Sequence, residues 1–521
     1  MMSKRVGHLL LLSVVSFLLA IGTWNFFYAE QVDLFDGYGP DGLMYGGRNF
    51  INLEARIIKG NLKDLIYRRC LPMLVVRSGM RIAGVPVMPE KKYALGPGHF
   101  TCHNVLVAYK IYNFIIYLLI VAALVFLCHS LACSPLQTAA CLILVLVNFA
   151  NLKRFFLEPV SLDPSILLHA ILLLAFYLRK NMLLLALTAI AGFAINEFNA
   201  YAGLLLCAFP FKPLPINSSS LSLKSFLSAS VAGIIAAIAV YTYFLPFCPD
   251  PLESPPIRYL FPLSVALLAA FVFLAMFFLL RDLDLSSLLN PAALSTLQWR
   301  VLLPVLLIFI AYRVFSYFMA KEEWFVCQSS GPIRHLIAAI VYGAARPLGH
   351  VVAFTMYFGS SLILTAFFYR KFATRIHALG LPIFLLVLIG IPLALNTHSR
   401  QLMFYSVLLP AVLCPLINFK PWQVVALLFI NLGLSKFWVK INPLGTDLFL
   451  EALKQGNRIA LISPPLQKYY VNFGVWISDE NYFFWLGITA AVGLFLALVF
   501  LFKQPQEQPV AAGVQMNEGK T

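Results

Sequence analysis

Apolar runs recur along almost the whole chain, separated by short polar breaks and by two long ones. Runs near 20 residues match a hydrocarbon core of about 30 Å, so each reads as a bilayer-crossing helix. The pattern predicts spans at about 6–28, 105–127, 135–150, 165–178, 182–195, 198–211 and 225–245, and then at about 259–280, 301–319, 350–369, 379–395, 402–418, 423–438 and 483–502. The pair around 182–211 and the run at 423–438 are the shortest and weakest.

The first long break, 29–104, contains Phe50, Leu53, Ile57, Leu62 and Leu65 near helical spacing, with Lys and Arg on the opposite face. Such a segment lies along an interface rather than across it. The second, 439–482, has a helix-like piece at Asp447–Gln455 and an aromatic run from Tyr469 to Ile477 that includes Trp476. These patterns predict an all-α polytopic membrane protein of about 12–14 transmembrane helices, with interfacial helices in the first and last outer loops. Residues 1–503 read as a single transmembrane domain, and 504–521 as a short, polar, disordered cytoplasmic tail.

Composition narrows the function classes. The chain of 521 residues is 61% hydrophobic and 12% charged, with a mean hydropathy of +0.84. Its 38 Lys+Arg against 22 Asp+Glu give +16. In a membrane protein that excess reads as basic loops against anionic lipid, not as a nucleic-acid surface. The chain contains no Walker loop, dinucleotide fingerprint or His-Glu-x-x-His motif.

Charge also predicts orientation. Lys4 and Arg5 precede the first span, Arg179-Lys180 follow the fourth, Arg370-Lys371 the tenth, and Lys503 the last. With the amino terminus cytoplasmic, all of these clusters fall inside, as the positive-inside rule expects. An even number of spans returns the carboxyl terminus to the cytoplasm. The first span reads as an uncleaved anchor, because its apolar run is long and Tyr28-Ala29-Glu30 is a poor cleavage site. Few sequons and a compact layout favour a bacterial inner membrane, with Asn217 on the cytoplasmic side.

Candidate chemistry clusters on the outer side. Asp36 and Asp41 sit with Gly37, Gly39, Pro40 and Gly42 in a tight turn just after the first span. Such a carboxylate can take a proton from a hydroxyl nucleophile; equally, Asp and Gly simply dominate turns. Glu158 and Asp163, separated by Pro159, precede the fourth span, where the helix dipole favours acids and Lys153 and Arg154 offer ordinary ion pairs. Glu197 falls between two short spans near membrane depth, where ionisable groups usually face a bundle interior.

Arg400, at the outer end of the eleventh span, suits a phosphate by its bidentate fork, and Arg346 lies at similar depth. Headgroup snorkelling is the alternative for both, on a par with phosphate binding for Arg400 and the plainer role for Arg346. Arg313, inside the ninth span, needs a carboxylate or water. His99 and His103 are too isolated to make a zinc site. Cys70, Cys102, Cys248 and Cys327 fall on the outer side without an assignable pairing.

Taken together, Asp36-Gly37-Tyr38, Leu157-Glu158-Pro159, the hairpin Ala191–Glu197 and Arg400-Gln401-Leu402 running on to Pro410 resemble the GT-C superfamily of polytopic glycosyltransferases. The resemblance covers nearly the whole chain in layout, though the motifs are short. The acidic doublet usual after the first helix is absent, which leaves Asp33, Asp36 and Asp41 as alternative bases. It implies transfer of a sugar from a polyprenyl-phosphate-linked donor to a hydroxyl on a glycan, lipid or protein acceptor, at the non-cytoplasmic face. Asp36 or Asp41 would be the catalytic base, Arg400 and Arg346 would meet the donor phosphate, and Glu158, Asp163 and Glu197 would bind substrate. A divalent cation (Mg or Mn) held by Asp36 and Glu158 stays open beside a metal-free site. The alternatives are a multi-pass transporter or lipid-linked-saccharide flippase, which usually shows internal repeats that this chain lacks, and a non-catalytic assembly subunit.

Overall fold

The computed structural model describes residues 2–28, 70–86, 91–92, 100–101, 103–155, 161–215, 223–247, 255–283, 297–319, 343–395, 402–436 and 479–501. Each predicted apolar segment is helical, as lipid demands of a backbone that must satisfy its own polar groups. In chain order the helices are α1 (Met2–Tyr28), α2 (Leu71–Ile82), α3 (His103–Ser130), α4 (Pro135–Leu146), α5 (Asp163–Leu178), α6 (Met182–Gly192), α7 (Glu197–Ala208), α8 (Leu223–Phe247) and α9 (Pro255–Leu280). They continue with α10 (Trp299–Met319), α11 (Gly349–Phe358), α12 (Ser361–Phe367), α13 (Tyr369–Leu379), α14 (Leu381–Ala394), α15 (Met403–Leu413), α16 (Pro421–Ser435) and α17 (Asp479–Phe500). A π-helix spans Phe149–Arg154, and a two-residue antiparallel pair joins Lys91–Lys92 to Phe100–Thr101.

Length separates two classes of helix. Among the described residues five are long and apolar enough to cross a membrane, with bounds Arg5–Tyr28, Asn104–Ser130, Leu223–Thr242, Arg258–Leu280 and Tyr482–Phe500. Others, such as α4, α6 and α16, are apolar but only 10–17 residues long. The expectation of about 12–14 transmembrane helices is therefore met in helix placement, while among the described residues five have the length and composition of a full crossing. The segment predicted as one span at 350–369 is broken between α11 and α12 at Gly359, whose φ is +74°. The polar run that follows forms α13, which buries Phe372, Ala373, Ile376 and Leu379 while Arg370 and Lys371 stay on its exposed side. That amphipathic helix lies outside the apolar spans, and burial lowers the pKa of its His377, whose ring bonds the Leu279 carbonyl at 2.7 Å.

One apolar core runs from α1 to α17, and a smaller one joins Val352, Met356, Leu434, Tyr482 and Trp485. The short helix α4 is buried on all sides from Gln137 to Leu146, as expected of a helix apolar all round. Leu9, Leu12, Ile234, Ile235, Phe429 and Leu494 are exposed, an apolar exterior that a bilayer would cover.

Side-chain bonds define two ends of the bundle. At one end Gln137 Nε2 donates to the Pro415 and Ile417 carbonyls, Gln423 Nε2 to Val499 O, Tyr177 OH to Leu379 O, and Arg179 Nε to Ser130 Oγ. This end gathers Arg5, Arg179, Lys180, Lys212, Lys224, Arg281, Arg370, Lys371, Arg375 and Lys420. Asp282, 3.3 Å from Arg281, is its only acid among the described residues. At the other end Asn25 Nδ2 donates to Leu152 O, Asn113 Nδ2 to Phe155 O, and Asn199 Nδ2 to Ile166 O. Here the charge is mixed: Asp163, Glu197 and Asp479 stand with Arg77, Arg313, Arg346 and Lys436.

Candidate functional site at the mixed-charge end

Asp163 opens α5, followed by Pro164 at a position where a missing N–H costs nothing. Its own N–H donates to Ser161 Oγ at 3.2 Å, and the residue is only 2% exposed. Glu197 likewise opens α7, half-buried, behind an Asn196 cap that accepts from the N–H groups of Phe198 and Asn199 at 3.0 and 3.2 Å. Both acids therefore sit in the first turn of a helix, where the dipole favours negative charge. The 2.9 Å bond from Asn199 to Ile166 O ties the two first turns together.

Other elements converge on this point. Leu71 N–H bonds Ala194 O at 2.9 Å, and Cys70 Sγ lies 3.6 Å from Tyr312 OH, so the start of α2 docks on the α6–α7 turn and on α10. Phe198 packs against Phe404 and Tyr405 with ring centroids 5.7 and 5.5 Å apart, which brings the start of α15 beside Glu197. Asp36, Asp41, Glu158 and Arg400 lie outside the described residues, as do His99, Cys102, Cys248, Cys327, Asn217 and the 504–521 tail. The described flanks of the first four (Asn25 and Cys70, Phe155 and Ser161, and Leu402) all belong to this end. Arg313, half-buried on α10, follows Tyr312 at the same end.

A lateral apolar groove of about 300 Å³ opens between α3, α5 and α6, lined by Ile116, Leu168, Leu172, Leu184 and Leu187. Its polar corner is made by Tyr112 and Ser165, whose hydroxyls are 2.8 Å apart. His169 also lines it, with Nε2 2.6 Å from the Thr188 carbonyl. Gly192 leaves room for that ring, since a Cβ there would meet His169 Cε1 at 2.6 Å. Ser165 is two residues along α5 from Asp163, about 200° round the helix axis, so groove and carboxylate share a turn but not a face.

No family model matches the chain, and no curated protein or solved structure matches it. The site therefore speaks through its own chemistry.

Arg346 has a partner that sequence did not name. Its Nη2 and Nε donate to Asp479 Oδ1 at 2.9 and 3.2 Å, joining the segment before α11 to the start of α17. Tyr482 adds a hydrogen bond from its hydroxyl to Pro347 O, and Arg346 lies 5.8 Å over its ring. Headgroup snorkelling, the plainer expectation for Arg346, gives way to an ion pair closing two helix ends. Sequence reasoning also passed over Lys436, a buried lysine beneath that pair. Its only signal was a lysine ending a weak span, which reads as a snorkelling residue. Among the described residues no cluster of three or more His, Cys, Asp or Glu could hold a metal ion.

Proposed function

We propose that the chain is an integral membrane glycosyltransferase of the GT-C kind, moving a sugar from a polyprenyl-phosphate-type donor to a hydroxyl acceptor at its mixed-charge end. The observation that carries this reading is that buried Asp163 and the lateral groove share helix α5. Asp163 is 2% exposed in the first turn, and Ser165, Leu168, His169 and Leu172 of the same helix line an apolar groove with Tyr112 at its polar corner. An amphipathic donor needs both parts: a groove for its hydrocarbon chain and polar groups for its sugar.

In this reading Asp163 and Glu197 accept hydrogen bonds from sugar hydroxyls, which positions the anomeric carbon. Asp36 or Asp41 removes the acceptor's proton, and Arg400 stabilises the departing phosphate. One displacement inverts the anomeric centre, with the C–O bond to phosphate breaking as the bond to acceptor oxygen forms. The basic end then faces the cytoplasm of a bacterial inner membrane, against anionic headgroups.

The test uses purified protein in liposomes with a polyprenyl phosphate carrying a labelled sugar. Release of polyprenyl phosphate should fall at least tenfold in Asp36→Asn or Asp41→Asn, in Arg400→Ala and in Asp163→Asn, with folding retained. Full turnover in all four would end the reading.

A further inference from the structure

Four of the described cysteines gather at the basic end of the bundle. Cys128 lies in the last turn of α3, Cys133 in the turn that follows, Cys141 on α4, and Cys414 caps α15. Their thiols neighbour one another in the order Cys133, Cys128, Cys141, Cys414, and each is unbridged. Cys128, Cys141 and Cys414 are fully buried, whereas Cys133 is half-buried.

Thiols in a core ordinarily pack as small hydrophobes, and Cys141 and Cys414 need no other account. Cys128 and Cys133 differ, because the backbone itself pairs them. Ala132 is left-handed (φ +55°), its N–H bonds His129 O at 3.0 Å, and the Cys133 N–H bonds Cys128 O at 3.0 Å. This pair of bonds is a Schellman ending, whose 6→1 bond sets the side chains of its first and last residues against each other. The contact between them is usually apolar; here it is thiol on thiol. A disulfide needs its two α-carbons within about 7 Å, and a turn closed by a 6→1 bond brings its ends that close.

The surroundings of Cys133 add a second feature. Arg375 on α13 acts on it electrostatically, and Arg375 Nε has no hydrogen-bond partner among the described residues. The Cys128 thiol and burial push the Cys133 thiol up while Arg375 pulls it down. Cys133 therefore rests as a thiol and reacts through a minor thiolate that the guanidinium favours.

We infer that Cys128 and Cys133 form a reversible dithiol–disulfide site, open to small disulfides at the basic end. Cys133, the more exposed partner, attacks one sulfur of a low-molecular-weight disulfide; one small thiol leaves, and a mixed disulfide stays on Cys133. Cys128 then attacks the Cys133 sulfur, which expels the second small thiol and closes the bridge. The protons of the two cysteines end on the two departing thiols, so one small disulfide is reduced as the pair is oxidised. Facing a reducing cytoplasm, such a pair rests open and closes only transiently. The bridge fastens α3 to the turn that enters α4, whose Gln137 holds the Pro415 and Ile417 carbonyls. The site owes nothing to the sugar-transfer chemistry at the other end.

The test treats the reduced full chain in nanodiscs with oxidised glutathione, blocks the remaining thiols with N-ethylmaleimide, and maps the products by mass spectrometry. The Cys128 and Cys133 thiols should disappear together, leaving one peptide lighter by two hydrogens and free of glutathione, and reduced glutathione should reopen it. Cys128→Ser removes the resolving thiol, so glutathione should stay on Cys133 at about tenfold or more the wild-type level. Cys133→Ser should leave Cys128 unmodified. If Cys128→Ser fails to fold, the wild-type map decides by itself. Survival of both wild-type thiols, a bridge to Cys141 or Cys414 instead, or a glutathione adduct that persists on wild-type Cys133 would each overturn the pairing.

Discussion

Replacing Gly359 by Ala should destabilise the protein more than any other single-methyl addition in the α11–α12 region. Gly359 has φ +74° and ψ −150°, a conformation essentially reserved for glycine, and imposing it on alanine costs about 1–3 kcal/mol. The added Cβ would also collide with Asn431 Oδ1. That oxygen accepts from Ser360 N at 3.1 Å and Ser360 Oγ at 3.3 Å, while Asn431 Nδ2 donates to Leu427 O at 2.9 Å. Ser360 and Asn431 are both fully buried, so moving the amide aside strands donors at about 1–3 kcal/mol. The two terms sum to roughly 2–6 kcal/mol. Thermal melting in detergent, followed by loss of the monodisperse peak, measures the effect. Gly79→Ala on α2 is the control, because a Cβ there meets nothing within 4 Å and helix propensity favours alanine by up to about 1 kcal/mol. Asn431→Ala combined with Gly359→Ala should cost less than the sum of the two, since both remove the same bonds. A Gly359→Ala protein that melts with the wild type would refute the account of the break.

Three further outcomes follow from the same packing. A double-mutant cycle on Arg346→Ala and Asp479→Ala should give a coupling of roughly 1–3 kcal/mol, above that of a surface pair, because the side chains are 11% and 26% exposed; strictly additive losses would sink the clamp. Gly192→Ala places a methyl against the His169 ring and should lower stability by about 1–3 kcal/mol, with unchanged melting counting against the packing of α6 on α5. Single cysteines at Val85 and Lys212, in a background without native cysteines, should react with an impermeant maleimide from opposite sides of the membrane; labelling from one side alone would contradict the two-ended bundle.

Helix placement was legible in the sequence because an apolar run has few folds open to it in lipid. The interruption of one run was not. The run at 350–369 looks continuous, and its break depends on Asn431, 71 residues away, reaching into the turn at Ser360. The helix α13 went unread because Tyr369–Leu379 is short and sits between two apolar stretches. Asp163 was singled out by its place beside Pro164, a local pattern that does not report its 2% exposure. Arg346 was noticed, but the carboxylate facing it lies 133 residues on, beyond any local pattern. Lys436 was missed because a lysine at the end of a span is ordinarily a surface residue. Its burial is a property of Phe149 and Trp485, which only tertiary structure brings together.

The unequal helix lengths have a consequence for where chemistry can occur. Tyr112, nine residues into α3, bonds Ser165, two residues into α5. At 1.5 Å per residue, α5 therefore begins about 10 Å below the start of α3. The end of α16 likewise meets α17 at Trp485, about 9 Å below its start. The start of α5 and the end of α16 thus meet the longer helices short of those helices' own ends, and Asp163 and Lys436 there are each 2% exposed. Low exposure to water strengthens electrostatic contacts. Had the short helices matched the long ones, the same acids and the same lysine would stand at a flat surface, where screening weakens them. The shortness of α5 and α16 is accordingly part of the site, and extending either by one turn should harm function even where stability is kept.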